Sequence, residues 1–132
     1  ISYANMIGDI ADATPGADKN DILSAVGADT RVGTKYLRPG YGFGGPCFPR
    51  DNRALGGYAE MIGVEPMLPR ATDSYNKYHT QRQIKCLLDS GLEAFTFEGI
   101  GYKDPCPVPI IEESQKLVVA SALARAGRQV TV

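Results

Sequence analysis

Residues 40–51 read Gly-Tyr-Gly-Phe-Gly-Gly-Pro-Cys-Phe-Pro-Arg-Asp and concentrate the side chains of this chain that could carry chemistry. Glycine lets the backbone turn through positive φ and approach a ligand closely, and proline suits the first turn of a helix. The segment therefore predicts a tight loop that leads into a helix at Pro49, with Cys47 just outside the helix N-terminus. The N–H groups and partial positive charge of that terminus favour thiolate, the nucleophilic form of cysteine. Asp51 follows four residues later, so a helical turn places it on the same face as Cys47.

The residue pattern alone leaves two interpretations of Cys47 open, a reactive nucleophile and an inert turn cysteine. Asp51 likewise suits a catalytic carboxylate or a first-turn acid that stabilises the helix dipole, and these two roles are compatible. A cysteine-dependent acyl-transfer enzyme is disfavoured. Such enzymes usually need a histidine base, and the chain has one histidine, His79.

Hydrophobic periodicity predicts the helices that must position this loop. Apolar residues recur at helical spacing over residues 3–11, and Asp18 can cap a second, shorter helix. The helix after the cysteine contains Gly56 and Gly57, which suggest close packing against another backbone. A long helix is predicted to follow Pro69.

The last third of the chain has a different pattern. Residues 94–97, Ala-Phe-Thr-Phe, predict a strand. The Gly-Ile-Gly of residues 99–101 lacks the third glycine and the immediate helix of a dinucleotide fingerprint. A helix predicted from Glu112 and a strand over residues 129–132 complete the order strand, loop, helix, strand, which is the beginning of a parallel β-α-β unit.

Composition excludes several classes of function. The hydrophobic content of 43% suits a globular core, and the net charge of -1 without a Lys/Arg-rich run argues against a nucleic-acid partner. No apolar run is long enough to span a membrane. Cys47, Cys86 and Cys106 lack metal-ligand spacing, so no metal site is expected. They favour a reducing, cytoplasmic setting.

Residues 40–51 resemble the active-site signature of the UDP-glucose/GDP-mannose dehydrogenase family, which reads roughly G-x-G-F-G-G-x-C-[FL]-x-K-D. Residues 27–33 are similar to the family's G-x-D-x-R-I-G, and residues 99–103 to the G-x-x-[FY]-K that opens its last domain. The resemblance implies a mainly α central dimerisation domain over residues 1–92, followed over residues 93–132 by the first β-α-β unit of an incomplete Rossmann-like α/β domain. The chain is then expected to be a fragment without the family's N-terminal NAD-binding domain and its upstream catalytic Lys and Asn.

The resemblance also implies a reaction. The family oxidises the C6 alcohol of a nucleotide-linked sugar to a carboxylate in two hydride transfers to NAD. By resemblance, Cys47 forms a thiohemiacetal and then a thioester, and Asp51 positions or deprotonates the water that cleaves it. Amide groups near Gly44 and Gly45 could lie against substrate or a developing oxyanion. UDP-glucose is the expected substrate, with GDP-mannose and UDP-N-acetyl sugars left open.

Further site residues are assigned by the same resemblance. Arg31 is expected to reach across a homodimer interface, formed by the central helices, to the neighbouring subunit's sugar; on spacing alone it is a solvated surface residue. The implied substrate-binding residues are Arg31, Tyr36, Leu37, Arg38, Phe43, Gly44, Tyr102 and Lys103, and the implied cofactor-binding residues are Cys47 and Arg50.

The chain departs from the family pattern at two places. Arg50 stands where the family usually has Lys, which keeps the charge but changes its geometry. Ile110 and Ile111 occupy the region where many relatives place an NAD-contacting Arg. The alternative to an enzyme fragment is an isolated dimerisation and interaction module with no activity of its own.

Overall fold

The computed structural model of the protein describes residues 1–106, 108 and 110–132. The chain forms two compact units, Ile1–Gly42 and Phe43–Val132. Over the described residues the secondary structure comprises five helices and one two-stranded parallel sheet, with the strands flanking the last helix. This confirms the predicted class, a mainly α chain that ends in a β-α-β unit. The predicted domain boundary after residue 92 stays a prediction.

The first unit is built on two helices, α1 (Ser2–Asp12) and α2 (Lys19–Gly27), which pack against each other. Their contact buries small and branched apolar side chains, including Ala11 and Leu23. Asp18 caps α2 as predicted, because its carboxylate accepts hydrogen bonds of 2.7 and 3.1 Å from Asn20 N–H and Asp21 N–H in the first turn.

The second unit begins with two packed helices, α3 (Phe48–Met61) and α4 (Met67–Asp89). Gly56 is buried between them, and a Cβ built on it would lie 3.4 Å from the Cβ of Pro69. The close neighbour of Gly56 is therefore a proline side chain and not the backbone that the sequence predicts. The prediction is also wrong at Gly57, which faces open space because the next residue along a helix points about 100° away.

The strands β1 (Ala94–Thr96) and β2 (Gln129–Thr131) pair in parallel, with Phe95 opposite Val130. Helix α5 (Gln115–Arg125) connects them along the chain, as a β-α-β unit requires. The core of this unit is formed by the buried residues Phe97, Val119, Ala120 and Leu123, against which Ile84, Leu87, Leu88, Phe95, Ile100 and Val130 pack. The end of α4 thus supports the sheet and α5 within one hydrophobic cluster.

Helix α5 begins later than the sequence predicts. Glu113 adopts a positive φ of 47°, and Ser114 is the extended N-cap residue whose hydroxyl accepts a 3.4 Å hydrogen bond from Leu117 N–H. The helix therefore starts at Gln115 and not at Glu112. None of the helices in the described part of the chain combines the length and apolar character needed to cross a membrane.

Candidate active site

Cys47 occupies the position that the sequence predicts, immediately before a helix. It is the N-cap residue of α3, and Pro49 lies buried within the first turn. The carbonyl of Cys47 accepts a 2.8 Å hydrogen bond from Asp51 N–H, which closes that turn. The thiol is free and exposed, so a ligand can reach it. An exposed thiol at a helix N-terminus is the arrangement of a reactive cysteine, whereas a structural cysteine is usually buried.

Asp51 is held by its neighbour in sequence. Its Oδ1 accepts a 2.8 Å hydrogen bond from Arg50 Nε, and both side chains are more than 60% exposed. This hydrogen bond, together with the charge of Asp51, raises the pKa of Arg50 above its ordinary value. Exposed ion pairs contribute little to stability, so Asp51 can exchange this partner for water or substrate at little cost.

Gly44 and Gly45 are enclosed so tightly that no side chain fits at either position. A Cβ on Gly44 would lie 2.2 Å from the carbonyl oxygen of Glu113, and one on Gly45 would lie 2.4 Å from the ring of Tyr102. Gly45 also has a φ of 85°, which L-residues rarely adopt. Its N–H donates a 2.9 Å hydrogen bond to the carbonyl of Glu112. The Gly45 amide, expected to be available to substrate or an oxyanion, is thus already engaged.

Phe43 is fixed by a residue that the sequence analysis does not identify. Asn76, buried on α4, accepts a hydrogen bond from Phe43 N–H through Oδ1 and donates one to Phe43 C=O through Nδ2, both at 2.8 Å. The amide side chain pairs with the backbone as a neighbouring strand would. The available signal was an asparagine in mid-helix, where its low propensity calls for a reason.

Tyr102 and Lys103 join the glycine loop from the far end of the chain. The Tyr102 ring covers Gly45. The backbone N–H of Tyr102 donates a 3.0 Å hydrogen bond to Ile110 C=O. Lys103 is exposed, with its Nζ 5.5 Å from the centroid of the Tyr102 ring. Within the second unit, the predicted residue Tyr102 therefore lies against the glycine loop that contains the predicted residue Gly44, although the two are far apart in sequence.

The remaining predicted substrate residues belong to the first unit. The Arg31 side chain is 88% exposed, and its guanidinium pairs with Asp29 through Nε–Oδ1 and Nη2–Oδ2 distances of 3.0 and 2.6 Å. This pair raises the pKa of Arg31 and lowers that of Asp29. Tyr36 and Arg38 are exposed and Leu37 is half-buried.

Cys47 and Arg50 fit the expected contact with NAD, because both are exposed at the start of α3 and a guanidinium suits an anionic phosphate. Many relatives are expected to have an arginine in the region of Ile110 and Ile111. Here both side chains are apolar; Ile110 is half-buried and Ile111 is exposed. Over the described residues, no three His, Cys, Asp or Glu side chains are grouped so as to hold a metal ion.

Comparison with known proteins gives matches over almost the whole chain. It is 32% identical to the UDP-glucose 6-dehydrogenase AglM of Haloferax volcanii, over 98% of this chain and 30% of that protein. It is 30% identical to the GDP-mannose 6-dehydrogenase of Pseudomonas aeruginosa, over 89% of this chain and 28% of that protein. The solved structure of a UDP-glucose dehydrogenase from Pyrobaculum islandicum superposes with a TM-score of 0.84 at 32% identity, covering 98% of this chain and 30% of that one.

These relatives place the chain in an oxidoreductase family whose named members act on nucleotide sugars. The family profile for the central domain of the UDP-glucose/GDP-mannose dehydrogenases matches residues 1–78, and the chain belongs to this family. The chain spans about 30% of the length of the curated relatives that it matches.

Proposed function

We propose that this chain is the cysteine-bearing part of an NAD-dependent nucleotide-sugar 6-dehydrogenase that converts a C6 alcohol to a carboxylate. The observation that supports this most directly is an exposed cysteine at the N-cap of α3, preceded by a glycine loop that its surroundings fix. UDP-glucose is the proposed substrate, because UDP-glucose 6-dehydrogenases recur among the similar proteins. A GDP-mannose 6-dehydrogenase is the second candidate, since one matches at a comparable identity.

In the second oxidation, the Cys47 thiolate adds to the C6 aldehyde carbon. The new C–S bond gives a thiohemiacetal whose oxygen carries the negative charge. The first N–H groups of a helix have no partner within it, so the first turn of α3 can stabilise this oxygen. The engaged Gly45 N–H instead keeps the preceding loop in place.

NAD, when bound, supplies the acceptor for the hydride that leaves C6. Cys47 and Arg50 are the proposed contacts of this chain to it. Loss of hydride leaves a thioester on Cys47. Asp51 then holds the attacking water and takes one of its protons, and the C–S bond breaks to restore the thiolate. The acid that forms loses its remaining proton to solvent and leaves as the carboxylate.

Replacement of the nucleophile tests this proposal. In an intact enzyme that carries this chain, Cys47→Ser should still bind NAD and nucleotide sugar but lose acid formation by several orders of magnitude, because a serine hydroxyl is a far weaker nucleophile at neutral pH. The measurement is NADH production with product analysis for UDP-glucose and GDP-mannose. Cys86→Ser, which changes another exposed cysteine, is the matched control and should keep the original rate. Unchanged turnover in Cys47→Ser would refute the nucleophile assignment.

We also propose that the protein is a homodimer through its helices, in a reducing, cytoplasmic setting. The end of α3 and the start of α4 expose a run of large apolar side chains, namely Leu55, Tyr58, Met61, Ile62, Val64, Met67 and Leu68. Contiguous exposed apolar surface of this kind is typical of a protein interface. Within the run, Leu55 and Tyr58 are three residues apart and so share one face of α3. Ile62 directly follows the helix as its C-cap residue.

Mass measurement by light scattering tests the dimer. The wild-type protein should give twice its monomer mass, and Tyr58→Glu should shift it toward the monomer, because a buried unpaired charge is costly at an interface. Leu92→Glu is the matched control, since Leu92 is equally exposed but lies beyond the opposite end of α4. A wild-type monomer, or a Tyr58→Glu variant that remains dimeric, would contradict the proposed interface.

A further inference from the structure

The backbone that precedes Cys47 is held from two sides within the second unit. On one side, the Asn76 amide pairs with both backbone groups of Phe43 at 2.8 Å. On the other side, the carbonyl of Glu112 accepts the Gly45 N–H, and the carbonyl of Glu113 closes the space beside Gly44. Phe43, Gly44 and Gly45 therefore have set positions, and the last of them lies two residues before the predicted nucleophile.

Asn76 is suited to this role by its burial and its environment. It is 6% exposed, and Phe43 is 7% exposed, so water does not compete for their hydrogen bonds. Thr80, one turn further along α4, donates a 2.7 Å hydrogen bond to Gln115 Oε1, and Gln115 Nε2 donates a 2.9 Å bond to Glu113 C=O. The same helix thus supports both sides of the loop.

We propose that Asn76 is a positioning residue for catalysis. It fixes the backbone of Phe43, so that the glycine loop holds Cys47 in one position relative to the substrate. This inference rests on the proposed function. Asn76 touches neither substrate nor the reacting sulfur, and it acts through the backbone of residues 43–46. Displacement of a reacting group by about 1 Å can cost roughly 10²-fold in rate, so loosening this loop should lower the rate of acid formation more than it weakens substrate binding.

Asn76→Leu, which removes both hydrogen bonds and keeps the number and branching of the side-chain heavy atoms, tests the proposal in an intact enzyme carrying this chain. The expected result is a kcat for acid formation lowered roughly 10- to 100-fold with a KM for the nucleotide sugar changed by less than about threefold. Val119→Ala is the control for lost stability, because Val119 is fully buried in the α5 core and away from the loop. It should melt earlier and keep its kcat below its melting temperature.

Hydrogen exchange followed by mass spectrometry gives a readout that needs no substrate. The Gly45 amide bonds to Glu112 and not to Asn76, so its faster exchange in Asn76→Leu, by about 10-fold or more, would show that the loop loosens as a unit. Peptides from α5 should exchange at the wild-type rate. Unchanged exchange at Gly45, or faster exchange with unchanged kcat, would overturn the inference.

Asn76→Asp sharpens the test through pH. A protonated carboxyl group can accept from Phe43 N–H and donate to Phe43 C=O as the amide does, whereas a carboxylate cannot donate. Burial and the facing carbonyl raise the pKa of such a group. The exchange rate of Gly45 relative to that of the wild-type protein at the same pH should therefore be near one at low pH and rise as the pH increases; a ratio that does not change with pH would count against the proposal. A wild-type enzyme that oxidises no nucleotide sugar would instead refute the proposed function, and the exchange comparison would still decide whether Asn76 holds the loop.

Discussion

Two buried asparagines, one in each unit, bind the backbone that leads to Cys47, and they bind it differently. In the first unit, Asn5 accepts a 2.9 Å hydrogen bond from Gly40 N–H and donates a longer one, 3.4 Å, to Tyr41 C=O. In the second unit, Asn76 makes both of its bonds, at 2.8 Å, to the single residue Phe43. Asn5 therefore bonds to the backbone of two successive residues, while Asn76 bonds to both backbone groups of one residue.

The space around the glycines also differs between the two units. Gly40 is exposed, and a Cβ on it would meet nothing within 4 Å. Gly44 and Gly45 have backbone or ring atoms closer than 2.5 Å to such a Cβ. The glycine loop is therefore not uniformly flexible. At Gly40 a Cβ would meet open space, whereas at Gly44 and Gly45 it would collide with neighbouring atoms.

A matched pair of alanine substitutions tests this comparison with the largest expected effect. Gly44→Ala should destabilise the second unit by about 1–3 kcal/mol or more, because its Cβ would meet the Glu113 carbonyl, which is backbone and moves only with its segment. Gly40→Ala should change stability by no more than about 0.5 kcal/mol. Chemical denaturation of both variants measures the difference.

The same variants separate packing from flexibility. If glycine were needed at both positions only for a mobile loop, the two substitutions would lower acid formation equally. We expect Gly44→Ala to lose most activity and Gly40→Ala to keep it. Equal stability of the two variants would show that the enclosed part of the loop yields more easily than its contacts indicate.

A smaller effect is expected in the first unit, where Arg31 forms an exposed ion pair with Asp29. Since Arg31 lowers the pKa of Asp29, the pair stabilises the folded state above the ordinary aspartate pKa. That contribution is lost as the pH falls through the lowered folded pKa. NMR titration of the Asp29 carboxyl should give a midpoint below the ordinary range. Arg31→Gln should raise it toward that range, because the side-chain bonds are lost while the backbone N–H of residue 31 still donates to Asp29. Identical midpoints in the two proteins would mean that the pair does not persist in solution.

Local patterns predicted a large part of this fold. Proline and cysteine at residues 46–49 placed the start of α3, Asp18 placed the cap of α2, and aromatic and β-branched residues placed β1. These features depend on residues that are close together in the chain, so they can be predicted directly from the sequence. The start of α5 was predicted too early because the propensity of Glu112 and Glu113 for a helix does not reveal that Ser114 caps it.

For the site, the residue types by themselves predicted a cysteine just outside a helix N-terminus, because glycines and prolines mark the turn into the helix. The spacing predicted a carboxylate one turn later, because Asp51 lies four residues after Cys47. Only the tertiary structure decided what encloses the glycine loop. The contacts of Phe43 with Asn76 and of Gly45 with Tyr102 join residues that are distant in the chain. Such pairings leave no periodic trace in the sequence. They arise when helices and loops pack, because buried backbone groups must then find partners.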